Sequence, residues 1–313
     1  MKKIIISALL SLTTFTYANV NTVVSILPQK TFVKAIGGDK VDVNLMVLPG
    51  NSPHTYEPKP SQMRNISKAD IYFTIDVEFE HNWLPKFLNQ NQNMKVIDLT
   101  DGIVKMEMKE HHHHDDEHGH HDKHKEKKHD DHDDHDNHNN HADHADHEEH
   151  EEESLDPHVW TSPSNVKVMA KNILIALISK DAKNTNYYIN NYNNFIKQIN
   201  STDKKIKNIL SNVEHGSKFM VFHPAWGYFA RDYELTQFAI EAGGKNPKPK
   251  QIAYLIEEAK EEKVKAIFTA PEFSERIATQ IAKEVGIKVI KVSPLNPKWS
   301  ENLIQLAEAI SHK

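Results

Sequence analysis

Short β-branched and apolar runs recur along this chain, separated by segments whose apolar positions repeat at helical spacing. The runs TVVSIL (22–27), VDVNLMV (41–47), DIYFTI (70–75) and MKVIDL (94–99) predict four strands. A second set, KFMVF (218–222), LTQFAI (235–240), VKAIFT (264–269) and IKVIKV (287–292), repeats the pattern. Strands alternating with helices of crossover length predict an α/β chain, with two domains built on parallel-dominated sheets.

Two helical segments lie between the halves. In the first, Val166, Met169, Ala170, Ile173, Leu174, Leu177 and Ile178 form one apolar stripe, expected to pack on the first sheet. In the second, Tyr188, Tyr192, Phe195, Ile199, Thr202, Ile206, Ile209 and Val213 alternate spacings of four and three, the pattern of a buried seam. A helix from Asn184 to Val213 would run roughly 45 Å, enough to serve both halves as a spine. The expected division is an N-terminal domain at 19–182, a linker helix at 183–214 and a C-terminal domain at 215–313.

The pattern fails at 109–153. Its only apolar side chains past Lys109 are Ala142 and Ala145, and it holds sixteen of the 22 histidines. With nothing to bury, it is expected to be a disordered loop in the metal-free protein. Residues 111–153 carry 17 Asp or Glu against 4 Lys, a balance of −13, which leaves +7 for the rest of a chain whose total is −6. That mildly basic remainder has its lysines scattered along helices, so a nucleic-acid partner is not expected. His111, His112, His113, His114, His118, His120 and His121 open the segment. Irregularly spaced imidazoles make many weak, interchangeable metal sites, whereas selectivity for one ion requires fixed ligands.

The chain starts with Lys2 and Lys3, an apolar run from Ile4 to Leu12, and TYA before Asn19. That run is about half of the roughly 20 residues a spanning helix needs, so it reads as a cleaved signal peptide at 1–18 rather than a membrane anchor. An exported, freely diffusing periplasmic monomer is expected. The chain has no cysteine, which excludes disulfides, thiolate metal sites and a cysteine nucleophile, and leaves imidazole and carboxylate for metal chemistry.

Six histidines lie outside the rich segment. His81, His215 and His312 have polar neighbours and read as surface residues. The other three sit at junctions: His54 in LPGNSPHTYEP after a strand, His158 in DPHVWTSP ahead of a helix, and His223 in VFHPAWGYF at the end of a strand. Ligand sites of open α/β sheets form from loops beyond the carboxyl ends of strands.

At these residues the chain resembles the periplasmic zinc-binding solute receptors of high-affinity ABC importers, the ZnuA type. The likeness covers nearly the whole mature chain: VSILPQ, PGNSPHTYEPKPSQ, AD followed by FEHNWL, DPHVWTSP, FHPAWGYFARDY, NPKPKQI and SPLN, in that order. A histidine-rich insertion between the first two ligand motifs is typical of the zinc branch. The resemblance implies two (β/α) domains joined by one long rigid helix, with Zn2+ held in the cleft between them by His54, His158 and His223. In manganese-binding relatives the position of His223 carries a carboxylate; a third neutral nitrogen suits zinc better. Where many relatives have an aspartate, this chain has Ser293, and where some have a glutamate before the first histidine, it has Pro53. The fourth ligand is then left among a water, a histidine of the rich segment and Glu57.

The implied function is capture of Zn2+ and its delivery to an inner-membrane permease driven by a cytoplasmic ATPase, with modest closure on binding. Two other readings use the same residues. Three histidines plus water is also the ligand set of a zinc hydrolase, but the chain lacks an H-E-x-x-H helix and a nucleophile elbow. A metal buffer would rely on the rich segment alone and would have no need of an ordered triad.

Overall fold

The computed structural model describes residues 19–108, 155–241 and 246–311. The expected leader, the histidine-rich segment from 109 to 153 and His312 lie outside the described residues. One strand corresponds to each apolar run: β1 Val20–Val24, β2 Val41–Leu45, β3 Ile71–Thr74, β4 Lys95–Asp98, β5 Lys218–Val221, β6 Thr236–Ala239, β7 Ala266–Thr269 and β8 Lys288–Lys291. The first run ends sooner than its apolar pattern suggests. Leu27 already opens a helix whose first turn holds Pro28, a position that suits proline because its fixed φ is helical and its missing N–H is not needed.

The strands form two four-stranded sheets of order β2-β1-β3-β4 and β6-β5-β7-β8, with every neighbouring pair parallel. In each sheet the chain winds outward to one side and then returns to the other. The crevices therefore open at the carboxyl ends of β1 and β3, and of β5 and β7. The helices are α1 Leu27–Gly37, α2 Pro60–Ile66, α3 Glu78–Gln90, α4 Pro163–Lys180, α5 Thr185–Leu210, α6 Gly227–Asp232, α7 Pro249–Glu261, α8 Arg276–Val285 and α9 Trp299–Ser311. No helix of the described residues is long and apolar enough to cross a membrane.

Helix α5 has 26 residues, about 39 Å of spine, somewhat shorter than its pattern suggests. It buries Tyr188, Phe195, Ile199, Thr202, Ile206 and Leu210 against α1, α4 and α9. The stripe of α4 faces α5 and α1 rather than lying flat on the first sheet, which it meets chiefly at β4. One apolar cluster consequently runs from Val23 and Phe73 of the first sheet through Ile173 and Ile199 to Phe219 and Phe268 of the second. A smaller cluster, with Met220, Phe238, Leu255 and Ile281, fills the other face of the second sheet.

Polar ties cross between the halves as well. Trp160 Nε1 donates to the Pro294 carbonyl at 2.8 Å and Trp299 Nε1 to the Trp160 carbonyl at 2.7 Å. Tyr228 Oη donates to the Asp156 carbonyl at 2.8 Å, and the Ser162 and Ser164 hydroxyls donate to Asp232 Oδ2 at 2.5 and 2.9 Å. Opening the cleft by a hinge would break these bonds and expose buried Trp160 and Tyr228, whose burial is worth several kcal/mol together. The molecule is thus built to hold the two crevices face to face.

Candidate metal centre

Each of the three junction histidines is set by a local device. His54 lies in the loop between β2 and α2, and Gln62 of α2 pins both ends of that loop. Its amide donates to the carbonyls of Leu45 at 2.9 Å and Met46 at 2.5 Å, and its Oε1 accepts from Tyr56 Oη and Lys59 N, each at 2.9 Å. The His54 ring then meets Glu78, with Nδ1 2.8 Å from Oε2. Glu78 is the first residue of α3, where the helix N-terminus favours a negative charge.

His158 follows Asp156 by two residues, and one oxygen, Asp156 Oδ1, accepts from both the backbone N–H and Nδ1 of His158, each at 2.8 Å. Both residues are buried. Against them packs Gly227, where a side chain would strike the Asp156 carboxylate. His223 stands just past β5; its Nδ1 lies 2.5 Å from Oε1 of Glu241, past β6. Its ring stacks on Phe273, past β7, with centroids 4.7 Å apart.

A common logic links the three. An ionised carboxylate only accepts, so each Nδ1–H is donated and each Nε2 keeps its lone pair for a metal. The Nε2 atoms of His158 and His223 lie 3.3 Å apart, close to the edge of a tetrahedron whose centre is about 2.0–2.1 Å from each nitrogen. The His223 ring is edge-on to both others, 5.1 Å from His158 and 5.4 Å from His54 between centroids. Burial, chiefly, lowers the pKa of His223 from its ordinary value, with His158 and His54 adding to the effect and Glu241 opposing it. A lowered value keeps the imidazole neutral and able to bind metal down to lower pH.

The three rings line one cavity of about 30 Å³ together with Pro53, Glu78, Trp160, Glu272 and Phe273. That is room for an ion or one or two waters, far below the ~300 Å³ at which organic-ligand pockets begin. Among the described residues no group of three or more His, Asp or Glu side chains already stands in a metal-holding arrangement. His158 and His223 have the spacing of two ligands on one ion, and the more exposed His54 lines the same cavity.

The other sequence candidates fall elsewhere. Glu57 is exposed and does not line the cavity. Ser293 lies one step behind the cavity wall, with its hydroxyl 3.1 and 3.2 Å from the two oxygens of Glu272. His81 is exposed and pairs with Asp76 at 2.6 Å, and His215 is exposed and pairs with Glu234 at 2.5 Å. His111, His112, His113, His114, His118, His120 and His121 lie outside the described residues.

Four carboxylates of the site escape sequence reading. Asp156 was within reach, since an Asp two residues before a histidine forms this kind of local turn. Glu78, Glu241 and Glu272 carry no such signal, because each comes from a different strand end, Glu78 and Glu272 to the cavity wall and Glu241 to the His223 ring behind it.

Comparisons with known proteins converge on one group. The profile of the family described as ZnuA, zinc-uptake complex component A, periplasmic, matches residues 22–312. The high-affinity zinc uptake system protein ZnuA of Bacillus subtilis is 31% identical over 273 residues, covering 86% of this chain and 76% of that protein. The zinc-binding lipoprotein AdcA of Streptococcus pneumoniae is 27% identical over 298 residues, covering 92% of this chain but only 54% of that protein, so the chain spans about half its length. The crystal structure of a ZnuA deletion mutant with zinc bound superposes with a TM-score of 0.77 at 34% identity, covering 94% of this chain and 97% of that one.

Proposed function

This chain belongs to the periplasmic zinc-uptake complex component A family, and from that premise we propose that it captures Zn2+ at His54, His158 and His223 and hands it to an ABC importer. Family membership makes it a solute receptor and not an enzyme. The observation that carries the ligand assignment is the pairing of His158 and His223 at 3.3 Å within a cavity that His54 also lines. Neutral nitrogen donors in a tetrahedral setting favour zinc over harder ions that prefer oxygen.

In this reading the lobes at 19–182 and 215–313 stay fixed about the linker at 183–214, and His54 swings in to complete the site. The partners are an inner-membrane permease and its cytoplasmic ATPase. A leader at 1–18 exports the chain to the periplasm, and the histidine-rich segment collects zinc at weaker sites and raises its concentration near the cleft.

Competition with a zinc chelator tests the assignment. The purified chain should hold one ion far more tightly than any other, and His54→Ala, His158→Ala or His223→Ala should each weaken it by several tens-fold or more. His81→Ala and His215→Ala should leave it unchanged. Tight binding retained by His223→Ala would overturn the ligand set.

A further inference from the structure

The cavity has a carboxylate that the three histidines do not engage. Glu78, Asp156 and Glu241 each face an imidazole Nδ1, whereas the Glu272 carboxylate, among the described residues, meets the Ser293 hydroxyl and its own backbone N–H but no imidazole. Glu272 is partly buried, and among the described residues no cation pairs with it. A carboxylate removed from water without a counter-charge is costly unless a cation arrives to compensate it.

Its position is set by the sheet. Strand β7 lies beside β5, with Val221 opposite Phe268, so the residues after both strands emerge side by side. His223 follows one strand and Glu272 the other. Phe273 stacks on the His223 ring, which brings the neighbouring Glu272 to the wall of the cavity that all three histidines line.

We propose, on the strength of the zinc-receptor reading, that Glu272 supplies the acidic oxygen of the ion site, with Ser293 as its positioning residue. Position 293 carries a serine and position 53 a proline, so neither can furnish that oxygen. The Ser293 hydroxyl donates to Glu272 while its oxygen accepts from Leu295 N at 3.0 Å, which holds the donor in place. Three neutral nitrogens and one anionic oxygen close a four-coordinate shell, offset half of the charge of a dication and leave no position for a reactive water. The arrangement suits a receptor that holds its ion without doing chemistry on it.

The test uses the full chain and its variants Glu272→Gln, Glu272→Asp, Ser293→Ala and His223→Ala. Zinc affinity is read by chelator competition and coordination by the visible spectrum of the Co2+ form, with circular dichroism as a check on folding. Glu272→Gln should keep 1:1 binding with affinity lowered more than about tenfold and an altered Co2+ spectrum. Glu272→Asp should retain more affinity than Glu272→Gln, since it keeps the charge, and Ser293→Ala should lose about two- to fivefold as the carboxylate is freed. Wild-type affinity together with a wild-type Co2+ spectrum in Glu272→Gln overturns this inference while leaving the receptor reading intact. Tight binding in His223→Ala overturns the reading on which it rests.

Discussion

Gly227 and Asp156 touch across the cleft: a β-carbon at position 227 would stand 2.8 Å from Asp156 Oδ2. The glycine is required here for space rather than for backbone freedom. Gly227→Ala should push Asp156 off both N–H groups of His158 and lower zinc affinity about tenfold or more without altering any ligand. Isothermal titration would check this. Unchanged affinity would mean that Asp156 does not orient His158.

Glu241 plays the same part for His223. Glu241→Ala leaves a buried Nδ1–H without an acceptor and should weaken zinc binding about 10–100-fold. Glu241→Gln should cost less, because its amide oxygen still accepts. Equal losses in the two variants would show that the charge matters and the hydrogen bond does not.

A separate pH effect should come from Glu80. Burial, above all, pushes its carboxyl up to about 7 from 4.5, against hydrogen bonds from Ser25 and from the N–H groups of Ile75 and Asp76. A folded-state value above the unfolded one gives a contribution fully present below about pH 4.5 and lost as pH rises through 7. The amount is up to roughly 3 kcal/mol. Thermal unfolding of the metal-free protein should show the wild type losing ground to Glu80→Gln between pH 5 and pH 8. A constant difference between the two would refute it.

Acid should strip zinc in two stages. Unperturbed imidazoles, such as those expected in the histidine-rich segment, protonate near pH 6.5. The buried His223 has a lowered pKa and resists protonation further down, so the cleft ion should outlast the weaker ones as pH falls from 7.5 to below 6. Deletion of residues 111–153 should abolish the first stage and keep the second. Loss of all zinc in one step, or loss of the tight site with the deletion, would count against two classes of site.

Much of this architecture is readable in the chain. Runs such as DIYFTI and VKAIFT mark strands because a sheet covered on both faces demands near-continuous apolar residues, and β3 and β7 are buried throughout. The stripe from Tyr188 to Ile206 marks α5 by its period. His54, His158 and His223 stand out because each lies at a strand–loop or loop–helix junction. The carboxylates around them do not. Glu241 reaches His223 and Glu272 reaches the cavity only because neighbouring strands end together, a relation set by strand order and register. Glu57 lies three residues from His54, but distance along a loop says nothing about direction, and Glu57 is exposed and does not line the cavity. Ser293 lies behind the cavity wall, where its hydroxyl meets Glu272 from the adjacent strand end.

In the proposed receptor, three histidines from both lobes hold one zinc ion, with His54 moving to meet a preset pair. A crystal structure of the zinc-loaded chain with an anomalous difference map at the zinc edge measures this directly. One strong peak should lie about 2.0–2.1 Å from Nε2 of His54, His158 and His223, with the loop around His54 displaced and the Trp160–Pro294 and Tyr228–Asp156 bonds intact. A peak that lacks any one of those nitrogens, or that forms only after a large rotation breaking those bonds, would contradict it.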